Sequence, residues 1–112
     1  MITIWHNPRC SKSRETLALL ADKGFTPEVR LYLDDVPTAD ELRSALATLG
    51  LTAGELVRRK EALFKDLDLA NAHDDQLIDA MAANPKLIER PIVFANGRAA
   101  LGRPPENVLA IL

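Results

Sequence analysis

Asn96-Gly97 stands between Ile92-Val93-Phe94 and Ala99-Ala100-Leu101. This dipeptide between two short β-forming runs is the strongest local signal for a tight hairpin, because both central residues of the favoured turn need positive φ. The start of the chain imposes a different geometry. Ile2, Ile4 and Trp5 lie in a strand-like opening, a loop with Pro8 follows, and Ser11 to Lys23 reads as a helix closed by Gly24, with Leu17, Leu20 and Ala21 as its buried stripe. From Pro27 a second strand alternates Val29, Leu31 and Leu33 with Arg30 and Tyr32, the period of a half-buried strand. Strand, helix, strand is a βαβ unit, whose two strands run parallel. A chain that carries both a parallel unit and a hairpin must build a mixed sheet.

The middle is helical. Thr38 with Glu41 and Thr52 with Glu55 have the capping-box spacing, and Gly50 separates the two helices they open. Leu42, Ala45, Leu46 and Leu49 form one apolar face, and Leu56 with Val57 begins the next. A polar stretch runs to Asp75; then Leu77, Ile78 and Met81 mark a further helix stopped by Asn84-Pro85. After the hairpin, Pro104-Pro105 fit the first turn of a terminal helix that turns Val108, Leu109, Ile111 and Leu112 inward. The order is β, α, β, helices, β, β, α, which is the thioredoxin-like order within the α/β class. In that fold the turn after the first strand lies beside the residue before the first hairpin strand, here Arg90. Proteins of the fold carry a cis-proline there, so a cis Arg90–Pro91 bond is expected.

With 112 residues and no repeat or linker, the chain reads as a single domain over residues 1–112, long enough for a core without disulfides or a structural metal. Its 47% apolar and 27% charged residues exclude a disordered chain. No leader or membrane-length apolar run is visible, and the one cysteine suits a reducing compartment, so a cytoplasmic protein is expected. A net charge of −2 argues against a broad nucleic-acid-binding surface. A monomer is expected as well, since no heptad or extended apolar face is left over.

Charge is distributed unevenly. No acid precedes Glu15, while Arg9, Lys12 and Arg14 crowd Cys10 in His6-Asn7-Pro8-Arg9-Cys10-Ser11-Lys12-Ser13-Arg14. A helix start and neighbouring cations both favour the thiolate form of a cysteine. The N–H groups of Lys12 and Ser13 are placed to face the sulfur, the Ser13 hydroxyl is near, and Arg9, Arg14 and His6 add field. The plain alternative is a structural cysteine, since free cysteines are among the most buried residues. Yet Asn7 to Arg14 contains no aliphatic or aromatic side chain beyond the proline ring, which is not the surrounding of a structural thiol.

Spacing narrows the chemistry. Cys10-Ser11-Lys12-Ser13 keeps the frame of the redox Cys-x-x-Cys motif but replaces the second thiol by Ser13, so the chain cannot resolve its own mixed disulfide and needs an outside thiol. Arginine six residues after the cysteine, as in the tyrosine-phosphatase loop, fails, because Thr16 is there. One cysteine and two distant histidines supply no zinc site, and no metal is expected. An oxyanion is best held by arginine forks. Arg58, Arg59, Arg90, Arg98 and Arg103 are the candidates; Arg90 is favoured by its place before Pro91, and Arg103 by its turn between Gly102 and Pro104.

On these residues the sequence resembles the glutaredoxin-coupled arsenate reductase family, in the superfamily that also holds the Spx regulators. The loop from His6 to Arg14, Arg90-Pro91-Ile92-Val93 and Gly102-Arg103-Pro104-Pro105 are similar to its three signatures, and the likeness spans essentially the whole chain. It looks most like a short subgroup. The resemblance implies that Cys10 is the nucleophile, that His6 and Ser13 support it, and that Arg58, Arg90 and Arg103 bind the oxyanion, with Arg59 the rival of Arg58. It further implies arsenate as substrate, glutathione as co-substrate, glutaredoxin as protein partner, and no tightly bound cofactor.

Two other functions use the same features. One is a redox-sensing regulator of the Spx type that binds RNA polymerase; Ser13 breaks the cysteine pair common in that branch. The other is a glutathione-linked thiol oxidoreductase without arsenate activity.

Overall fold

The computed structural model describes residues 1–112. The chain forms two compact units, one from Met1–Asp35 with Arg90–Leu112 and the other from Val36–Glu89.

The first unit is built on a four-stranded mixed sheet. Strands β1 (Ile2–Trp5) and β2 (Glu28–Arg30) are parallel, with Ile4 opposite Val29. Strands β3 (Ile92–Ala95) and β4 (Arg98–Leu101) form the hairpin, and β3 runs antiparallel to β1, giving the order β2-β1-β3-β4. Both central turn residues have positive φ, 55° at Asn96 and 71° at Gly97, as the sequence requires. Helix α1 (Ser11–Asp22) and a terminal 3-10 helix (Pro105–Ile111) cover one sheet face. The core there joins Ile4, Leu20, Val93, Ala95, Val108 and Ile111, with Ile2, Leu17 and Leu19 packed against it. Each fully buried aliphatic side chain contributes about 1.5–3 kcal/mol relative to exposure. On the other face Trp5 meets Phe94 at 5.2 Å between ring centroids, and the Arg30 guanidinium lies 5.3 Å from the Trp5 ring.

Several expected faces are corrected. Strand β2 ends at Arg30, and its surroundings invert the expected alternation: Tyr32 is buried, while Val29 and Leu31 are exposed. The cause lies in Arg30, whose guanidinium lies over the Trp5 ring and whose Nε donates to the Asp35 carbonyl at 3.0 Å. In α1 the inward positions are Ser13, Thr16 and Leu20, and Ala21 is exposed. Leu109 likewise faces solvent, because a 3-10 turn of three residues aligns Val108 with Ile111 and rotates Leu109 outward.

The second unit is helical. Helices α2 (Ala39–Leu49) and α3 (Ala53–Leu56) each open with a complete capping box, at Thr38/Glu41 and Thr52/Glu55. Helix α5 (Asp74–Ala83) packs on both. The stretch expected to be merely polar holds α4 (Ala62–Asp66) and a 3-10 turn (Leu69–Asn71), which bury Phe64 and Leu69. An antiparallel bridge joins Val57 to Ile88, flanked by Arg58 N–H to the Leu87 carbonyl at 2.7 Å. No helix of either unit is long and apolar enough to cross a membrane.

Candidate active site

Strand β1 delivers its C-terminal end to the loop that carries Cys10. The His6 N–H still pairs with the Arg30 carbonyl at 2.8 Å, extending the ladder one residue beyond β1. The chain then turns on itself: Asn7 Oδ1 accepts the Arg9 N–H at 3.0 Å, the Asn7 carbonyl accepts the Cys10 N–H at 3.0 Å, and Arg14 Nη1 donates to the Pro8 carbonyl at 2.9 Å. An Asx side chain bonded to the backbone two residues on is what fixes such a turn without a second strand. Cys10 emerges as the residue capping α1, with extended backbone, and its carbonyl accepts the Arg14 N–H.

The environment of the sulfur differs from the expected one. No helix N–H bonds to Sγ. The cation in contact comes from far along the chain: Arg103 Nη1 lies 3.8 Å from Sγ and also donates to the Arg90 carbonyl at 3.2 Å. Cys10 is 8% exposed, whereas Arg103 presents open surface. Nε and Nη1 of Arg90 are buried. The expected cis Arg90–Pro91 bond is present, and Arg103–Pro104 is cis as well.

Ser13 is fully buried, and its hydroxyl is engaged with the loop. Its Oγ lies 2.7 Å from His6 Nδ1 and accepts the Asn7 N–H at 3.0 Å. Burial, and then the Arg14 guanidinium, hold His6 below its ordinary value of 6.5, so the ring is neutral at pH 7 and only one member of the His6–Ser13 pair donates to the other.

The structure thus brings together Cys10, His6, Ser13, Arg90 and Arg103 within the first unit. Arg58 and Arg59 belong to the second unit. There Arg58 pairs with Glu61 at 3.2 Å and Glu89 at 3.6 Å, while Arg59 donates to the Gly54 carbonyl at 3.1 Å and lies over Phe64. No group of three His, Cys, Asp or Glu side chains is placed to hold a metal ion. Two residues at the site were named in the sequence without being given a role. Thr16 and Gly102 meet beneath Arg103, where Thr16 Oγ1 lies 3.4 Å from the Gly102 carbonyl. The only available signal was a glycine directly before the turn arginine.

Residues 5–111 match the family model described as the ArsC family. The chain is 56% identical to an uncharacterized protein of Escherichia coli K12, YfgD, over 99% of this chain and 96% of that one. It is 49% identical to the arsenate reductase of Neisseria meningitidis serogroup B, covering 99% and 97%. Among solved structures it superposes on the arsenate reductase from Vibrio cholerae with a TM-score of 0.96 and 53% identity, covering 99% of this chain and 97% of that one. A single thiol at the start of α1, a cis-proline before β3, and near-complete alignment on both sequence and structure lead to one assignment: the chain belongs to the ArsC family of the thioredoxin-like superfamily.

Proposed function

We propose that this protein reduces arsenate to arsenite through the Cys10 thiolate, drawing its electrons from glutathione and glutaredoxin. The observation that carries the reading is the guanidinium of Arg103 held 3.8 Å from Sγ of the sole cysteine. A cation in that position stabilises negative charge on sulfur, and its open surface leaves donors for an oxyanion. The names of relatives at 49% and 53% identity point to the same substrate.

The steps follow from the groups present. Sulfur attacks arsenic(V), a sulfur–arsenic bond forms, and one arsenate oxygen leaves as water after protonation. Arg90 and Arg103 spread the oxyanion charge, a task in which fixed donors cost no reorganisation. Ser13 and neutral His6 hold the loop rather than the substrate. Glutathione then replaces a second arsenic-bound oxygen, again released as water. A thiol of glutaredoxin attacks the sulfur of that glutathione; a disulfide forms, and the electron pair of the broken sulfur–arsenic bond stays on arsenic, which becomes arsenic(III). Water releases arsenite and returns Cys10. The outside thiol is needed because Ser13 stands where a resolving cysteine would be.

The deciding experiment couples arsenate reduction to NADPH oxidation with glutathione, glutathione reductase and glutaredoxin, for the wild type and Cys10→Ser. Arsenate-dependent NADPH loss is expected only with the wild type. Equal rates for both proteins would falsify the mechanism.

A further inference from the structure

Arg103 is exposed on its outer side, and a long flexible side chain there has many rotamers, so something must hold it against Cys10. Part of the hold is its own bond to the Arg90 carbonyl. The rest comes through the backbone one residue earlier. The Gly102 N–H donates to the Pro91 carbonyl at 3.0 Å, which ties the turn to the chain beside Arg90. The Thr16 hydroxyl gives its one proton mainly to the Lys12 carbonyl at 2.8 Å and shares it weakly with the Gly102 carbonyl at 3.4 Å, so the turn is seated against α1 by this three-centre contact and by packing on Thr16. Thr16 and Gly102 are both buried, and Thr16 has no exposed surface.

The approach is close enough to exclude a side chain. A Cβ on Gly102 would fall on Thr16 Oγ1, within 2.7 Å of Pro91 Cγ and 3.1 Å of Thr16 Cγ2. A fully buried β-branched threonine and a proline ring cannot yield as a long flexible side chain would, so any larger residue pushes the turn, and Arg103 with it, away from α1. By contrast Gly24, Gly50 and Gly97 have open space where a Cβ would stand.

We infer that Thr16 and Gly102 are positioning residues that seat the Arg103 guanidinium on the Cys10 sulfur, one by its hydroxyl and shape, the other by lacking a side chain. The inference rests on Cys10 being the reactive group of the site, but not on arsenate being its substrate.

The test uses two alkylating reagents of similar size, anionic iodoacetate and neutral iodoacetamide, on the full chain. A guanidinium at the sulfur favours the anionic reagent, so the ratio of the two rates reports its placement and is indifferent to general loosening. Arg103→Ala should lower that ratio by about tenfold, the scale of losing a hydrogen bond to a charged group. Gly102→Ala should lower it comparably, and Thr16→Val, which keeps the shape and is expected to fold, by a smaller factor. Neither should lower it further once Arg103 is alanine, because groups acting through a third lose their effect with it. An unchanged ratio in folded Thr16→Val and Gly102→Ala, or full additivity with Arg103→Ala, overturns the inference. If Gly102→Ala does not fold, Thr16→Val alone decides. Arsenate turnover measured in parallel separates the two readings: a wild type without turnover whose ratio still responds to these substitutions removes the proposed substrate and leaves the positioning role standing.

Discussion

His6 Nδ1 lies 2.7 Å from Ser13 Oγ, seven residues on, and this contact closes the Cys10 loop from the inside. The same oxygen accepts the Asn7 N–H, so one serine satisfies a ring nitrogen and a backbone donor together.

Removing that oxygen should therefore cost more than a surface serine would. Ser13→Ala leaves buried His6 Nδ1 and the Asn7 N–H without this partner, a loss of about 1–3 kcal/mol. Urea unfolding measures it directly; a shift no larger than that of Ser11→Ala, an exposed serine on the same helix, would remove the role given to the contact.

Acid should weaken the fold through His6. Its folded pKa is lowered, so the folded state prefers the neutral ring while the unfolded chain takes up a proton near 6.5. The sign follows: this contribution is fully present above about 6.5, falls as the pH drops below that value, and stops changing once folded His6 is also protonated. His6→Gln should flatten the stability profile over that acid range. A profile of unchanged slope in the variant would show that another group titrates there.

Among the arginines, position should decide the effect. Arg90→Ala and Arg103→Ala are expected to reduce arsenate turnover by about 10²–10³, the cost of deleting one fixed oxyanion donor. Arg98→Ala, at the exposed start of β4, should stay near the wild type. Comparable losses at all three positions would point to net charge rather than to specific donors.

The hairpin turn offers a test of the fold that leaves the site alone. Gly97 sits at φ 71° with open space around it, so Gly97→Val is opposed by backbone conformation and not by crowding. A destabilisation of about 1–2 kcal/mol is expected, visible as a lower thermal midpoint with unchanged Cys10 alkylation. A variant as stable as the wild type would mean the turn has another conformation in solution.

Much of this was legible in the chain because the signals are local. Thr38 with Glu41 and Asn96-Gly97 act on their own neighbours, and the structure realises both. The mixed sheet followed from joining two such local units. The inverted surroundings of β2 were not legible, because Val29, Leu31 and Tyr32 are all good strand residues and the choice is made by Arg30 lying across Trp5. The sulfur's surroundings show the same limit. Helix position and nearby basic residues located Cys10, but the contact is made by Arg103 and not by the helix amides. Thr16 and Gly102 meet across 86 positions, and nothing in either's neighbours announces the other.

The separation of 93 residues between Cys10 and the guanidinium that touches it has a consequence during synthesis. The thiol leaves the ribosome early, while the arginine that contacts it belongs to the segment after β4. A nascent or truncated chain lacking that segment carries the cysteine without its charge partner. Their meeting is in this way deferred until the sheet has closed, and a chain stalled in translation before that segment holds Cys10 without the guanidinium beside it.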